Sequence, residues 1–243
     1  MEALLNFFNE FKRIMIEDNR FDFIITGLKN TFIITLGALA IGIVIGILVA
    51  AVRTSFDKNK ETLQLRGGIG YFVMIVLNAI CKLYLTVIRG TPVVVQLMIF
   101  YFIIFKYSDN GVMVAITAFG LNSGAYVAEI FRAGIMSIDH GQFEAGRSLG
   151  FNYFQTMRFI VIPQMFKAVL PTLCNEFIVL LKETSVAGYV GVIDLTKAGN
   201  TIAGRMYSYF IPLLTVAAIY LVLVLILTWL VGKLERRLRK SDR

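Results

Sequence analysis

Residues 137–167 read SIDHGQFEAGRSLGFNYFQTMRFIVIPQMFK, a stretch lying between two strongly apolar blocks and carrying its own helix punctuation. Asp139 supplies a side-chain oxygen for a helix start, and Gln142 three residues on completes a capping-box pattern. Gly150 then suits the left-handed position that closes a helix. Asn152 opens a second short helix, again with Gln155 three residues later, and Pro163 ends that helix or starts the next span. The pattern predicts helix, glycine turn, helix. Phe143, Leu149, Phe151, Phe154, Met157 and Phe159 are more apolar side chains than an idle surface loop carries. With Arg147 and Arg158 at the rim, they predict a docking surface.

Outward from this segment the chain is solvated mainly by lipid. Of its 243 residues 57% are hydrophobic and only 16% charged, and the mean hydropathy is +0.73; soluble domains carry about 25% charge. A membrane-spanning helix needs about 20 apolar residues. Residues 31–52 supply one such run, ending at Arg53, with Ala38, Gly42, Gly46 and Ala50 recurring every fourth residue where another helix can approach closely. Residues 112–131 supply another, 169–190 a further one, and 211–231 the most hydrophobic, with Trp229 as an interfacial anchor. Residues 67–107 are ambiguous: an apolar run, the break Arg89-Gly90-Thr91-Pro92, then a second apolar run. They read either as one long helix with an interfacial lead-in or as two short spans.

Charge distribution decides between five spans and six. With five, one face carries four Lys and Arg in 53–66, four in 132–167 and six from 233 on, against six acids, while the other face balances. The positive-inside rule makes the basic face cytoplasmic. The expectation is therefore an all-α integral membrane protein with about five transmembrane helices, the N-terminus outside and the C-terminus inside. Residues 1–22 place Leu4, Phe7, Phe8, Phe11 and Ile14 at helical spacing, which predicts an external amphipathic segment on the membrane surface. Residues 23–232 form the transmembrane domain, with the 137–163 loop inside it, and 233–243 form a basic cytoplasmic tail.

Several function classes are excluded. The net charge of +8 sits between apolar blocks and suits membrane orientation, not nucleic acid. Gly232-Lys233 lacks the upstream glycines and the Ser/Thr of a phosphate-binding loop. His140 is the only histidine, so neither a histidine-based metal cluster nor a catalytic triad is available. Cys81 and Cys174 lie in apolar blocks without metal or redox spacing and read as buried packing residues. The chain is not expected to be an enzyme or to hold a cofactor. A stand-alone secondary transporter or channel is the rival reading, but no inverted repeat is visible.

Glu144-Ala145-Gly146, then Gly150, then Ile160-Val161-Ile162-Pro163 resembles the EAA loop of ABC importer permeases: Glu-Ala-Ala, three residues, Gly, nine residues, Ile, one residue, Leu-Pro. All spacings agree; Gly146 replaces the second Ala and Ile162 the Leu. Residues 84–96, 121–132 and 181–185 are similar to the polar amino acid branch, which includes histidine, glutamine, glutamate, arginine and cystine importers. At position 183 that branch usually has Asp, where this chain has Glu183.

The resemblance implies the type I importer permease fold, in which the loop is a coupling helix seated in a groove of a separate ATPase. Gln142, Glu144, Ala145, Gly146, Leu149, Gly150, Phe151 and Pro163 would form the coupling element. The implied partners are an ABC ATPase dimer holding ATP and Mg, an extracytoplasmic amino-acid-binding protein and a second permease subunit, identical or paralogous. The implied location is the bacterial cytoplasmic membrane.

Ionisable groups within a bilayer are costly and usually functional. Glu129 and Arg132 read as an i,i+3 ion pair. Arg89 either snorkels at the interface or lines the pathway. Asn122, flanked by Gly120, Ser123 and Gly124, marks either close helix packing or a widened pathway. Glu176 and Glu183, seven apart, share a helix face. Lys182 and Glu183 are the best candidates for a zwitterion's carboxylate and ammonium, with an ion pair to another helix as the alternative. Between the last two spans, Asp194 is placed to cap a short outer helix; an ordinary connection is the other reading.

Overall fold

The protein is described by a computed structural model covering residues 2–240, and all side chains within them except those of 2–4, 59–63, 65, 66, 239 and 240. In lipid, backbone N–H and C=O groups must be satisfied within the chain, and among the described residues only helices and their connections occur. In order they are α1 (Glu2–Phe11), α2 (Phe21–Arg66), α3 (Gly68–Gly90), α4 (Val93–Ile99), α5 (Gly111–Met136), α6 (His140–Ser148), α7 (Tyr153–Thr156), α8 (Ile162–Glu183), α9 (Leu195–Met206) and α10 (Phe210–Lys240). Among the described residues five stretches are long and apolar enough to cross a membrane: Phe21–Lys58, Gly68–Gly90, Gly111–Met136, Tyr153–Val190 and Phe210–Leu238. This is the expected number, although the bounds differ.

The ambiguous stretch resolves into two helices. Thr91 is extended (φ −123°, ψ 146°), the conformation Pro92 imposes on the residue before it, so α3 stops and α4 starts afresh. The fourth span begins well before residue 169. From Tyr153 the chain stays helical through a π-helical turn at Met157–Val161 and on into α8. Pro163 therefore neither ends a helix nor begins a separate one. The wide turn ahead of it accommodates the missing N–H.

The chain forms two compact units. One comprises Met1–Ala38, Val93–Phe119 and Ile178–Leu230. Its core joins Ile14, Met15 and Ile24 to Leu195, Ala198, Ile202, Ile211 and Val216. Residues 1–22 thus do more than lie on a surface: α1 is helical, and Ile14 and Met15 just beyond it are buried. The turn that follows holds Asp18 and Asn19 at positive φ. Arg20 closes it by pairing with Asp18 and donating to the Ile14 carbonyl.

Helix α9 forms as its cap residue predicts. Asp194 accepts from the amides of Thr196 (2.8 Å) and Lys197 (3.3 Å). Burial pushes the Asp194 carboxyl above its ordinary range, and those amide donors oppose the shift. This is no ordinary connection, because Leu195, Ala198 and Ile202 are fully buried. The Thr31 hydroxyl accepts from the Leu195 amide at 3.1 Å, and Asn30 donates to the Ile193 carbonyl at 2.9 Å. A Cβ on Gly27 would lie 2.6 Å from the Asp194 carbonyl oxygen.

The second unit comprises Leu39–Pro92, Gly120–Phe177 and Val231–Arg243. Here the small-residue stripe of α2 meets α5 closely: a Cβ on Gly42 would lie 3.1 Å from Ser123, and one on Gly46 2.5 Å from Val127. The Tyr84 hydroxyl donates to the Leu121 carbonyl at 2.6 Å, tying α3 to the same helix. Cys81 and Cys174 are free and half-buried, less enclosed than expected.

Gly46→Leu should overpack this contact. Costs of about 1–3 kcal/mol predict a fall of several degrees in the melting midpoint of the purified protein in detergent. Gly70→Leu, with nothing near its Cβ position, should melt as the parent does.

Candidate functional site

The 137–167 segment is a rigid elbow. Asp139 caps α6 by accepting from the Gly141 amide at 2.6 Å. The Gln142 amide bonds the Asp139 carbonyl at 3.1 Å, but the side-chain capping box does not form: the Gln142 carboxamide oxygen instead accepts from Gln164 Nε2 at 3.0 Å, tying α6 to α8. At the far end Gly150 has φ +80°. The Phe151 amide bonds the Gly146 carbonyl (3.0 Å) and the Gly150 amide bonds that of Arg147 (2.9 Å). This is the Schellman arrangement in which a left-handed glycine satisfies the last carbonyls. Asn152 and Gln155 then exchange side-chain-to-backbone hydrogen bonds of 2.9 Å in each direction, a complete capping box for α7.

Gly146 is buried where α6 meets α7. A Cβ there would lie 2.7 Å from both Thr156 Cγ2 and Thr156 Oγ1. This explains why the chain departs from the second Ala of the EAA pattern: β-branched Thr156 occupies the space a methyl would need. Glu144 and Ala145 are exposed, as is Pro163. Glu144 lies 3.3 Å from His140 Nδ1.

The apolar side chains divide into two groups. Phe143 is not part of an outward patch. It is 8% exposed and packs in a cluster with Phe131, Ile135, Val161 and Met165, under the Lys58 ammonium 3.6 Å above its ring. Met157 is half-buried against the same cluster. Leu149, Phe154 and Phe159 are 70%, 71% and 60% exposed, and Phe151 meets the Phe159 ring at 6.0 Å. The outward apolar surface is therefore centred on Leu149 and Phe154.

The polar groups within the spans are also partly resolved. Glu129 and Arg132 pair at 3.1 Å as their spacing predicts, and Arg132 also reaches Asp57 at 3.6 Å. Arg89 lies 3.9 Å from Glu129. Asn122 is buried, and its neighbour Ser123 donates to Glu176 at 2.8 Å. Lys182 is exposed and Glu183 half-buried at the end of α8, in the other compact unit, where a 3₁₀ segment (Thr184–Val190) follows. The Ser123–Glu176 bond, and the contacts of Asp57 and Lys58, escaped sequence reading. Asp57 and Lys58 lie in what reads as a polar connection after a span, but α2 continues through them.

The sequence profile of the binding-protein-dependent transport system inner membrane component family matches residues 68–240, which contain the whole elbow. The chain belongs to this family. Among curated relatives, the arginine transport system permease protein ArtQ of Bacillus subtilis is 36% identical, covering 90% of this chain and 94% of its own. The putative glutamine transport system permease protein GlnP of Rickettsia typhi is 35% identical, covering 89% and 93%. The glutamine transport system permease protein GlnP of Escherichia coli is 34% identical, with the same coverage. Among solved structures, an amino acid ABC transporter crystallised with histidines matches at TM-score 0.76 and 37% identity over 89% of this chain and 94% of that one. An inward-facing MetNI methionine ABC transporter matches at 0.75 and 19% identity over 92% and 99%, a likeness of fold alone. As a family member the chain is a multi-pass membrane permease, not an enzyme.

The Gly146–Thr156 contact makes a specific prediction. Gly146→Ala should loosen the elbow, raising its susceptibility to limited proteolysis between 148 and 153. Adding Thr156→Ala, which removes both atoms at 2.7 Å, should restore resistance. Equal susceptibility of parent and Gly146→Ala would refute the steric account.

Proposed function

We propose that the chain is the permease subunit of an ABC importer for a polar amino acid, driven through the 140–156 elbow by a separate ATPase. The observation that carries this reading is an apolar surface, Leu149 and Phe154, presented by a helix–turn–helix whose two ends are capped and whose other face is buried. Exposed apolar groups on so rigid a support are disposed for a partner. The names of the glutamine and arginine relatives support the substrate class, and nothing supports the stand-alone carrier or channel.

In this reading the basic face is cytoplasmic, the N-terminus outside and the C-terminus inside. ATP and Mg reside in the ATPase pair, not in this chain. A second permease subunit completes the pathway, and an extracytoplasmic binding protein delivers the amino acid. Closure of the ATPases moves α6 as a lever. Gln142, through Gln164, and Phe143, through its cluster, carry that motion to α8 and α5. Asn122 and Glu176 in one unit, and Lys182 and Glu183 in the other, are the proposed substrate-pathway groups, while Arg89, 3.9 Å from Glu129, takes its interfacial alternative. Lys182 would meet the carboxylate.

Leu149→Asp should leave insertion and melting nearly unchanged, since the side chain is exposed, while the ATPase no longer co-purifies. Gly150→Val places a β-branched residue at positive φ and should abolish coupled uptake with membrane insertion retained. Full uptake by both variants would exclude the elbow as the lever. Lys182→Ala should weaken substrate-stimulated ATP hydrolysis in reconstituted importer without loss of the ATPase; an unaltered response removes it from the pathway.

A further inference from the structure

A polar cavity of about 490 Å3 opens in the second unit between α2, α3 and α5, lined by Arg53, Lys82, Thr86, Arg89, Tyr126 and Glu129. Three cations and one carboxylate face it, and the carboxylate is already engaged. Glu129 receives two hydrogen bonds from Arg132, at 3.1 and 3.3 Å, and stands at 3.9 Å from Arg89. Arg53 gives one Nη to Asn78 at 2.7 Å. Its buried Nε has no acceptor among the described residues, a costly state for a guanidinium N–H.

Position and neighbours narrow the ligand. Arg53 directly follows the apolar run 31–52 and so sits where hydrocarbon gives way to headgroups. On α3, Lys82, Thr86 and Arg89 are at i, i+4 and i+7 and share one face. Leu83 flanks that face, with Ile80 and Val87 farther round the helix, and the three are 65%, 57% and 49% exposed. A basic face edged by an exposed apolar stripe matches an amphiphile with an anionic head and a hydrocarbon tail, and basic pockets between membrane helices bind such headgroups. A soluble anion would leave the apolar stripe unused. We propose that this cavity is a binding site for an anionic phospholipid, its phosphate between Arg53, Lys82 and Arg89 and an acyl chain along Leu83 and Val87.

The test is native mass spectrometry of the full-length protein in its purified membrane complex, titrated with phosphatidylglycerol or phosphatidylcholine. The parent should retain phosphatidylglycerol selectively. Lys82→Gln/Arg89→Gln should weaken retention about thirtyfold, on the scale of two interfacial charges. Lys233→Gln/Arg236→Gln, which removes tail charge outside the cavity, should retain lipid as the parent does. If the double variant fails to fold, Lys82→Gln alone, at an exposed position, should still give about a fivefold loss.

Unchanged retention in the cavity variants overturns the proposal. So does loss of retention in the tail variant alone, which would mean diffuse attraction. Competition by inorganic phosphate or by zwitterionic glutamine at equal concentration would assign the cavity to a soluble anion or to an amino acid and overturn it too. None of these outcomes depends on ATPase coupling, so failure here is distinct from failure of the transport reading.

Discussion

Burial of Phe143 is the contact through which the elbow belongs to the membrane domain. Its ring fills a cluster supplied by α5 and by the helical run from Tyr153 into α8, and Lys58 of α2 covers it from the other side. Burying such a side chain is worth about 1.5–3 kcal/mol, enough to hold a nine-residue helix in one orientation against α5 and the run into α8.

That arrangement explains the division of labour along residues 137–167. Residues facing inward, Phe143 and Gly146, are selected for fit. Gly146 must be small because Thr156 is branched. Residues facing outward, Leu149 and Phe154, stay largely exposed among the described residues. The turn between them is held by hydrogen bonds within the chain, at Gly150 and at Asn152 with Gln155. So its geometry does not depend on whatever occupies the outer surface.

Much of this was legible because it rests on local chemistry. Gly150 as a left-handed cap, the Asn152–Gln155 box, Asp194 opening α9 and the Glu129–Arg132 pair each involve residues within a turn of one another. Five spans followed from hydropathy and charge. What was hidden depends on partners distant in sequence. Gln142 turned to Gln164, and Phe143 pointed inward. Ser123 found Glu176, and α2 ran on through Asp57 and Lys58 to reach α5 and α6. The fourth span began early because a π-helical turn absorbed the break that Pro163 otherwise announces; periodicity carries no mark of such a turn.

The core around Ile14 and Met15 has a consequence for biogenesis. Its other walls include Ile211 and Val216, about two hundred residues later in the chain. At ribosomal speeds of about 5–20 residues per second, the first-made segment waits roughly ten to forty seconds for the helix that shelters it. A nascent chain stalled or clipped before α9 and α10 emerge would leave those two side chains without these walls, giving quality-control proteases a signal by which to sort unfinished molecules from finished ones.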